Sequence, residues 1–302
     1  MAGPRLSTWD AKISPYLYLA PFFVVFGLVG LLPLLYTGYV SLFDWDLVED
    51  SPTFVGAGNY VLLFSDGQFY NALANTLSIL ALSTVPQVVL AVGLAALLDT
   101  RTGTGWRVSA LLPQAAGLVA IGIIFANLFG PRFGLVNGVL TALGLDRVDW
   151  QANRLASHVA IATMVNWRWT GYNALIVLAA LRAIPRELHE AATVDGAGPV
   201  RRFTGVTLPL LRPTLVFVVV TSTIGGLQVF TEPKLFDALP GAGGGATNQF
   251  QTVALYLYQS AFEYQHLGYA SAIAWVLFLV VVAVAAVNFR LTRRIADTGE
   301  RR

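Results

Sequence analysis

The sequence contains no cysteine and unusually little charge. Among its 302 residues there is no Cys, only 12% are Asp, Glu, Lys or Arg, and three are His. The absence of cysteine excludes disulfides, thiol nucleophiles and cysteine-ligated metal sites. The charged fraction is about half of the roughly 25% that is usual in soluble domains. A soluble globular protein is therefore excluded.

Long apolar runs take the place of the missing charge. The sequence is 56% hydrophobic, and its mean hydropathy is +0.64. Six runs reach the roughly 17–25 residues that cross a bilayer core; they cover approximately residues 16–42, 71–98, 108–129, 156–181, 213–230 and 269–289. The first run is too long for a signal-peptide core, so it is predicted to be a retained span. The predicted fold is an all-α integral membrane protein with six transmembrane helices.

The positive charges are unevenly distributed between these runs. Fourteen of the 19 Lys and Arg residues fall in the N-terminus, the second and fourth loops and the C-terminal segment. Four fall in the other three loops, and Arg168 lies inside a span. Because Lys and Arg concentrate in cytoplasmic loops, both termini are predicted to be cytoplasmic. This divides the chain into an N-terminus (1–15), a transmembrane domain (16–289) and a basic tail (290–302).

The segment 185–212, between the fourth and fifth spans, has helix signals of its own. Pro185 and Glu187 suit a first helical turn, and Gly196 suits a helix end. Gly198-Pro199 predicts a turn, and a second short helix is expected to end before Pro209. Small residues would let another protein's backbone approach closely. We interpret the segment as a cytoplasmic docking elbow, and the glycine-rich run 241–247 outside the membrane as a flexible gate or a partner contact.

Polar and aromatic side chains interrupt the fourth and fifth spans. In the fourth, Arg168 near mid-span costs about 2.5–3.5 kcal/mol, so it is expected either to face a wet cavity or to pair with a buried carboxylate or helix-end carbonyls. Trp and Asn side chains beside it are suited to stacking on and hydrogen bonding a sugar. In the fifth, a Gly-Gly pair could serve tight packing or a local helix break. The candidates drawn from this chemistry are Arg168, Trp169, Asn173, Gly225, Gly226 and Gln228.

The elbow resembles the EAA motif of permease subunits of binding-protein-dependent ABC importers. Glu190-Ala191-Ala192, Asp195-Gly196-Ala197, Phe203, Leu208-Pro209 and Pro213 match its signature positions. Further matches resemble the sugar-importing, maltose-permease type; they are Phe54-Val55-Gly56, Asn59-Tyr60, Asn75-Thr76 and residues 268–272. The resemblance covers nearly the whole chain except the termini.

This resemblance implies an ATP-driven sugar importer that works by alternating access. The segment would form a short cytoplasmic coupling helix in a cleft of the ATPase, contacted through Glu190, Ala191, Ala192, Asp195 and Gly196. By the same implication the substrate would also meet Tyr172 and Ser222. The aromatic and amide residues of the two spans favour a di- or oligosaccharide. The implied partners are a second homologous permease in a heterodimer, two ATPase copies and an extracytoplasmic binding protein. ATP and Mg would be bound by the ATPase, and this chain would bind no cofactor.

Several other functions remain as alternatives or are disfavoured. The histidines His158, His189 and His266 lack metal-ligand spacing, and no catalytic residue, metal site or nucleic-acid-binding pattern is predicted. An ion-coupled secondary transporter is disfavoured, because the sequence does not show the intramembrane carboxylates or inverted repeats expected of that class. An ABC permease for another solute, such as a glycerol phosphate, stays open because Arg168 suits an anion.

Overall fold

The computed structural model describes residues 8–46, 51–100, 103–131, 133–236 and 243–299. Parts of the predicted N-terminus, basic tail and glycine-rich run therefore lie outside the described residues. So do some of the residues that entered the charge distribution: Arg5, Arg101, Arg132, Arg301 and Arg302.

Helices dominate the described residues, as the apolar runs predict. In chain order they are α1 (Thr8–Val25), α2 (Leu32–Val40), α3 (Gly58–Ser65), α4 (Gly67–Asp99), α5 (Thr104–Ala115), α6 (Leu118–Leu128), α7 (Leu135–Ala142), α8 (Arg154–Arg182), α9 (Arg186–Val194), α10 (Pro199–Arg202), α11 (Leu208–Leu227), α12 (Thr231–Phe236), α13 (Val253–Tyr258) and α14 (Leu267–Gly299). Three π-helical segments are Phe26–Leu31, Phe203–Thr207 and Gln259–Glu263. The described strands, β1 (Phe43–Asp44) and β2 (Thr53–Phe54), form one antiparallel hairpin.

Four helical stretches of the described chain are long and apolar enough to cross a membrane. They are Ile13–Val40, Gly67–Asp99, Pro199–Leu227 and Leu267–Arg290. Helices α5 and α6 form a fifth candidate, bent by 86° at the break between them. Helix α8 has 29 residues, which is long enough to span, but its polar residues make it less apolar than these.

The prediction that the third apolar run, 108–129, forms a single straight helix is wrong. Ala116 and Gly117 are extended, with ψ of 141° and 130°, and they separate α5 from α6. Pro113 lies within α5 and has no backbone N–H to donate to the preceding turn. Proline followed closely by an extended glycine is a recognised cause of a sharp kink. The apolar run 108–129 therefore contains two short helices.

One compact unit comprises residues 66–259 and 277–302. Within it, α4, α8 and α11 pack through small and aliphatic side chains: Ala91, Ala95, Leu98, Ala174, Val177, Leu178, Leu211 and Val218. Gly171 of α8 lies directly against the carbonyl oxygen of Ala110 in α5, so a side chain there would collide with backbone. Small residues at helix crossings allow this close approach in membrane proteins.

Aromatic side chains form a second core in the same unit. Phe236 lies edge-on to both Phe129 and Phe250, with ring centroids 6.5 Å and 5.5 Å away. Phe125 and Phe129 come from the α6 end of the broken pair, and Phe236 ends α12. This core holds α12 against α6 and α8 at one end of the cavity described below.

The other compact unit comprises residues 1–65 and 260–276. The Asn59 amide donates to the carbonyl oxygens of Ser41 and Phe43, both at 2.9 Å. Gly268 lies so close to the Phe43 carbonyl that a Cβ would not fit. The Asn59 and Gly268 positions of the family-like motifs therefore have a packing role here.

Candidate functional site

A cavity of about 370 Å³ lies between α4, α8 and α11. Its volume falls within the ~300–1,000 Å³ usual for small-molecule sites. All eight substrate-site candidates predicted from the sequence line it: Arg168, Trp169, Tyr172, Asn173, Ser222, Gly225, Gly226 and Gln228. The structure thus brings together residues separated by up to 60 positions, although their role in binding a substrate remains a prediction.

The polar centre of the cavity is a cluster of Gln87, Asn173 and Ser222. The Asn173 amide donates to Gln87 Oε1 at 3.0 Å, and the Ser222 hydroxyl donates to the same oxygen at 2.8 Å. Asn173 Nδ2 also lies 3.2 Å from Ser222 Oγ. Both bonds to Gln87 use its oxygen, which leaves its NH₂ group available to a ligand.

Gln87 was missed by the sequence interpretation, although a signal was present. It lies in the middle of the apolar run of α4, directly after Pro86, and is only 2% exposed. A polar side chain buried in a span requires a partner or a function. The polar residues of the fourth and fifth spans form conspicuous clusters, whereas Gln87 is a single amide, shortly after Ser83-Thr84, in a largely aliphatic run.

Aromatic rings form the next part of the lining. Trp169 and Tyr172 meet edge-to-face, with centroids 6.0 Å apart and planes at 80°. The Arg168 guanidinium lies 5.1 Å from the Trp169 ring centroid, within the range of a cation–π contact. The cavity therefore presents flat apolar faces beside hydrogen-bonding amides and a hydroxyl.

The partner of Arg168 is Glu232, at the start of α12. Arg168 Nη1 lies 3.0 Å from Glu232 Oε1, and the two side chains are 19% and 6% exposed. Glu232 follows the end of the predicted fifth span, 213–230, yet it is buried and lines the cavity. Both expectations for Arg168 are met, because it faces a cavity and also pairs with a buried carboxylate.

The structure does not contain a helix break at the Gly225-Gly226 pair. Both glycines lie within α11, which continues to Leu227 and ends at Gln228. A Cβ at Gly226 would overlap the side chain of Leu80 from α4, whereas a Cβ at Gly225 would meet no atom within 4 Å. Gly226 therefore serves helix packing, and Gly225 leaves room on the cavity side.

The elbow forms the helices that its sequence predicts, with one difference. Asp195 ends α9, Gly196 has φ of +76°, and Ala197 N–H bonds to the Ala192 carbonyl at 2.9 Å. Together with the bond from Gly196 N–H to the Thr193 carbonyl, this is a Schellman cap, which glycine favours because of its positive φ. Glu190, Ala191, Asp195 and Gly196 are exposed, and Ala192 is half-buried.

The expectation that the second helix closes before Pro209 is wrong. Helix α10 passes through the π-helical turn Phe203–Thr207 directly into α11, so Pro199–Leu227 is a continuous stretch of 29 residues. A π turn changes the hydrogen-bond register, and Pro209 follows immediately within the first two positions of α11. The elbow and the cavity-lining part of α11 are therefore joined by uninterrupted helix.

A buried polar network fixes the segment after the glycine-rich run. Asn75 donates to the carbonyls of Asn248 and Gln251 at 2.9 and 3.0 Å, and Thr76 Oγ1 accepts from Val253 N–H at 2.9 Å. Arg154 in turn donates to Asn75 Oδ1. The Asn75-Thr76 motif thus ties residues 248–253 to α4. A role of the glycine-rich run as a flexible gate or a partner contact stays a prediction.

The histidines occupy separate structural positions. His158 is buried between Ser78 Oγ and the Gln249 carbonyl, at 2.8 and 2.9 Å, whereas His266 lies 2.6 Å from Asp46 in the other unit. Within the described part of the chain, no group of three or more His, Asp or Glu side chains is placed to hold a metal ion.

Comparison with known proteins agrees with these features. The family described as binding-protein-dependent transport system inner membrane component matches residues 79–297. The chain is 35% identical to the sulfoquinovosyl glycerol transport system permease protein SmoG of Agrobacterium fabrum, over 96% of this chain and 94% of that one. It is 33% identical to the lactose transport system permease protein LacF of Rhizobium radiobacter, over 93% and 94%.

A solved structure shows the same fold. A chain of the bacterial alginate ABC transporter, crystallised with an alginate pentasaccharide-bound periplasmic protein, superimposes with a TM-score of 0.81 at 23% identity, covering 97% of this chain and 98% of that chain. The resemblance based on the EAA motif is confirmed, and the chain is a transport component rather than an enzyme. It belongs to the family of binding-protein-dependent transport system inner membrane components, the multi-pass permease subunits of ABC importers.

Proposed function

We propose that this chain is the permease subunit of an importer that moves a sugar, in particular a di- or oligosaccharide, across the cytoplasmic membrane. The names of the relatives support this substrate class, since they include lactose, arabinooligosaccharide and diacetylchitobiose systems. The observation that carries the proposal is the cavity, where aromatic faces and amide groups converge within about 370 Å³.

The cavity chemistry suits a sugar for a physical reason. A pyranose has an apolar C–H face that packs on an aromatic ring, and a rim of hydroxyls that both donate and accept hydrogen bonds. Trp169 and Tyr172 provide the ring surfaces. Gln87 and Asn173 provide amide groups that can donate and accept at once. Arg168, Ser222, Gly225, Gly226 and Gln228 complete the proposed substrate site.

The coupling role of α9 is part of the same proposal. Its exposed residues Glu190, Ala191, Asp195 and Gly196, with Ala192, would dock in a cleft of the partner ATPase. That ATPase would bind ATP and Mg, and this chain would supply no catalytic residue or cofactor site. The docking segment extends over 185–212.

Helix continuity supplies a mechanical route from the elbow to the cavity. At about 1.5 Å per residue, the 29 residues of Pro199–Leu227 extend for roughly 40 Å. Ser222 and Gly225 lie near the end of this rod that is distant from the elbow. Closure of the ATPase pair would therefore move the wall of the cavity directly, turning it from an inward-facing to an outward-facing state.

Six spans with both termini in the cytoplasm are consistent with this arrangement. The spans would be α1 with α2, α4, α5 with α6, α8, α10 with α11, and α14. The lower hydropathy of α8 agrees with a substrate-binding role, because Arg168, Tyr172 and Asn173 of this helix line the cavity. The transmembrane domain would cover 16–289, between the short N-terminus 1–15 and the basic tail 290–302.

The assembled importer would contain a second homologous permease, two ATPase copies and an extracytoplasmic solute-binding protein. The experiment is to co-purify this complex and screen ligands against the binding protein by thermal shift. A sugar is expected to raise its melting temperature and then to accumulate in ATP-loaded proteoliposomes. A panel in which only a non-sugar solute gives a shift, or uptake that follows an ion gradient without ATP, would overturn the proposal.

A further inference from the structure

Two charged side chains face each other in the cavity lining. Among the residues that line it, Arg168 carries the positive formal charge and Glu232 the negative one. Their nearest atoms lie 3.0 Å apart. Because the lining contains one charge of each sign, its formal charge is zero. Both residues belong to the cavity wall, and their low exposure limits screening of the pair by solvent.

Burial makes each charge dependent on the other. Glu232 is 5% exposed, and the Arg168 side chain is 19% exposed. A buried charge that loses its partner is left uncompensated, and a guanidinium in that position binds carboxylate, sulfonate or phosphate groups strongly. Arg168 is therefore an anion-binding group whose charge is neutralised by the protein's own carboxylate.

We propose that Glu232 is a specificity-determining residue, which occupies Arg168 and thereby reserves the cavity for uncharged sugars. This inference rests on the proposed sugar-import function and narrows its substrate class. An acidic sugar entering the cavity would have to displace Glu232 from Arg168 or lie beside its carboxylate. Discrimination by a repulsive group of this kind is a common source of specificity.

The charge of the cavity can be measured without knowing the sugar, because Trp169 lies beside Arg168. The assembled complex is placed in nanodiscs, and Trp fluorescence is quenched with iodide, which is anionic, or acrylamide, which is neutral. Subtracting the emission of the matching Trp169→Phe complex isolates Trp169 from the other six Trp residues of this chain and from those of its partners. The acrylamide quenching constant depends on how accessible Trp169 is to solutes. The iodide constant depends on that accessibility and also on the charge near the ring.

Glu232→Gln keeps the size of the side chain but removes its charge. It is expected to raise the iodide quenching constant of Trp169 about two-fold or more, with the acrylamide constant unchanged. The double variant Arg168→Gln with Glu232→Gln is expected to return iodide quenching to the wild-type value, because the net charge is again zero.

The proposal is overturned if iodide quenching is equal in wild type and Glu232→Gln, or if both quenchers rise together. Should Glu232→Gln fail to assemble, the wild type is compared with the neutral double variant. A higher ratio of the iodide to the acrylamide quenching constant in the wild type would then overturn the masking role. Trp169 emission that neither quencher lowers, with or without trapped ATP, would mean that solutes do not reach the pair and would equally overturn it.

Two matched sugars then test the substrate class. Methyl β-D-glucopyranoside and its 6-carboxylate, methyl β-D-glucopyranosiduronate, differ only in charge at C6. The neutral glycoside is expected to protect wild-type Trp169 from acrylamide better than the acid, and Glu232→Gln should reverse that order. The same order in both proteins would overturn the selectivity role. Protection by neither sugar would overturn the selectivity role even if the iodide result holds, whereas the sugar-import function is tested separately by the thermal-shift screen and the uptake assay.

Discussion

At the scale of single residues, the positions that matter most are those where a side chain cannot be changed without moving backbone. Gly171 is such a position, because a Cβ there would overlap the carbonyl oxygen of Ala110. Backbone cannot rotate away as a flexible side chain can. The crossing of α5 and α8 therefore depends on the absence of a side chain at this point.

Gly171→Ala is expected to destabilise the protein by about 1–3 kcal/mol, the usual cost of overpacking. Gly93→Ala is the matched control, because Gly93 lies in α4 with no atom within 4 Å of its added Cβ. There the substitution should be neutral or stabilising by up to about 1 kcal/mol. Thermal unfolding of the two variants in detergent measures the difference, and equal melting temperatures would contradict the packing assigned to Gly171.

Residue-level inference from sequence succeeded where polar groups stood out against an apolar background. Arg168, Trp169 and Asn173 form a visible cluster in the fourth span, and the structure places them in one cavity. Gln87 and Glu232 give weaker signals in the sequence, because one is a single amide in a largely aliphatic run and the other follows the end of a span. Their importance arises from contacts with residues 86 and 64 positions away, which linear spacing does not reveal.

At the scale of elements, the helices of the elbow are the ones that the sequence predicts most completely. The end of α9 at Gly196 follows from the freedom of glycine at positive φ. The continuation of α10 into α11 is not predictable by the same reasoning, because a proline such as Pro209 normally interrupts helix hydrogen bonding. A π turn before a proline shifts the hydrogen-bond register, so the helix can continue through it.

Glu190→Lys is expected to uncouple the importer, because it reverses a charge on the exposed face of α9. Sugar uptake in membrane vesicles should fall about ten-fold or more, an effect of roughly 1.4 kcal/mol or larger. The amount of the chain in the membrane should not change. Glu187→Lys makes the same charge change in the first turn of the same helix, outside the motif. Equal uptake in the two variants would contradict a specific role for Glu190.

The broken third span shows that length and hydropathy alone do not predict a single helix. The run 108–129 has the length and hydropathy of one helix, yet α5 and α6 diverge by 86°. Pro113 and Gly117 were visible in the sequence, but either residue alone is tolerated in membrane helices. The break is recognised only when both are considered together with Ala116, whose extended conformation separates the two helices.

At the scale of the whole molecule, the absence of cysteine makes the predicted topology directly testable. Single cysteines can be introduced at exposed sites with no background thiol in this chain. Asp44→Cys and Phe133→Cys are expected to react with an impermeant maleimide in intact cells, since both lie in loops predicted to be external. Thr104→Cys and Ala183→Cys should react only after permeabilisation. Labelling of Thr104→Cys from outside would contradict six spans with cytoplasmic termini.

The central claim is that the cavity between α4, α8 and α11 binds the transported sugar. The most direct measurement is ATP-dependent uptake of the ligand identified by thermal shift, in proteoliposomes containing the complete importer. Gln87→Leu removes the acceptor shared by Asn173 and Ser222 and is expected to raise KM about ten-fold or more, from lost hydrogen bonds worth ~1–3 kcal/mol. Thr223→Ala, which lies on α11 and is absent from the lining, should leave KM unchanged. An unchanged KM in Gln87→Leu, with normal assembly, would contradict the claim.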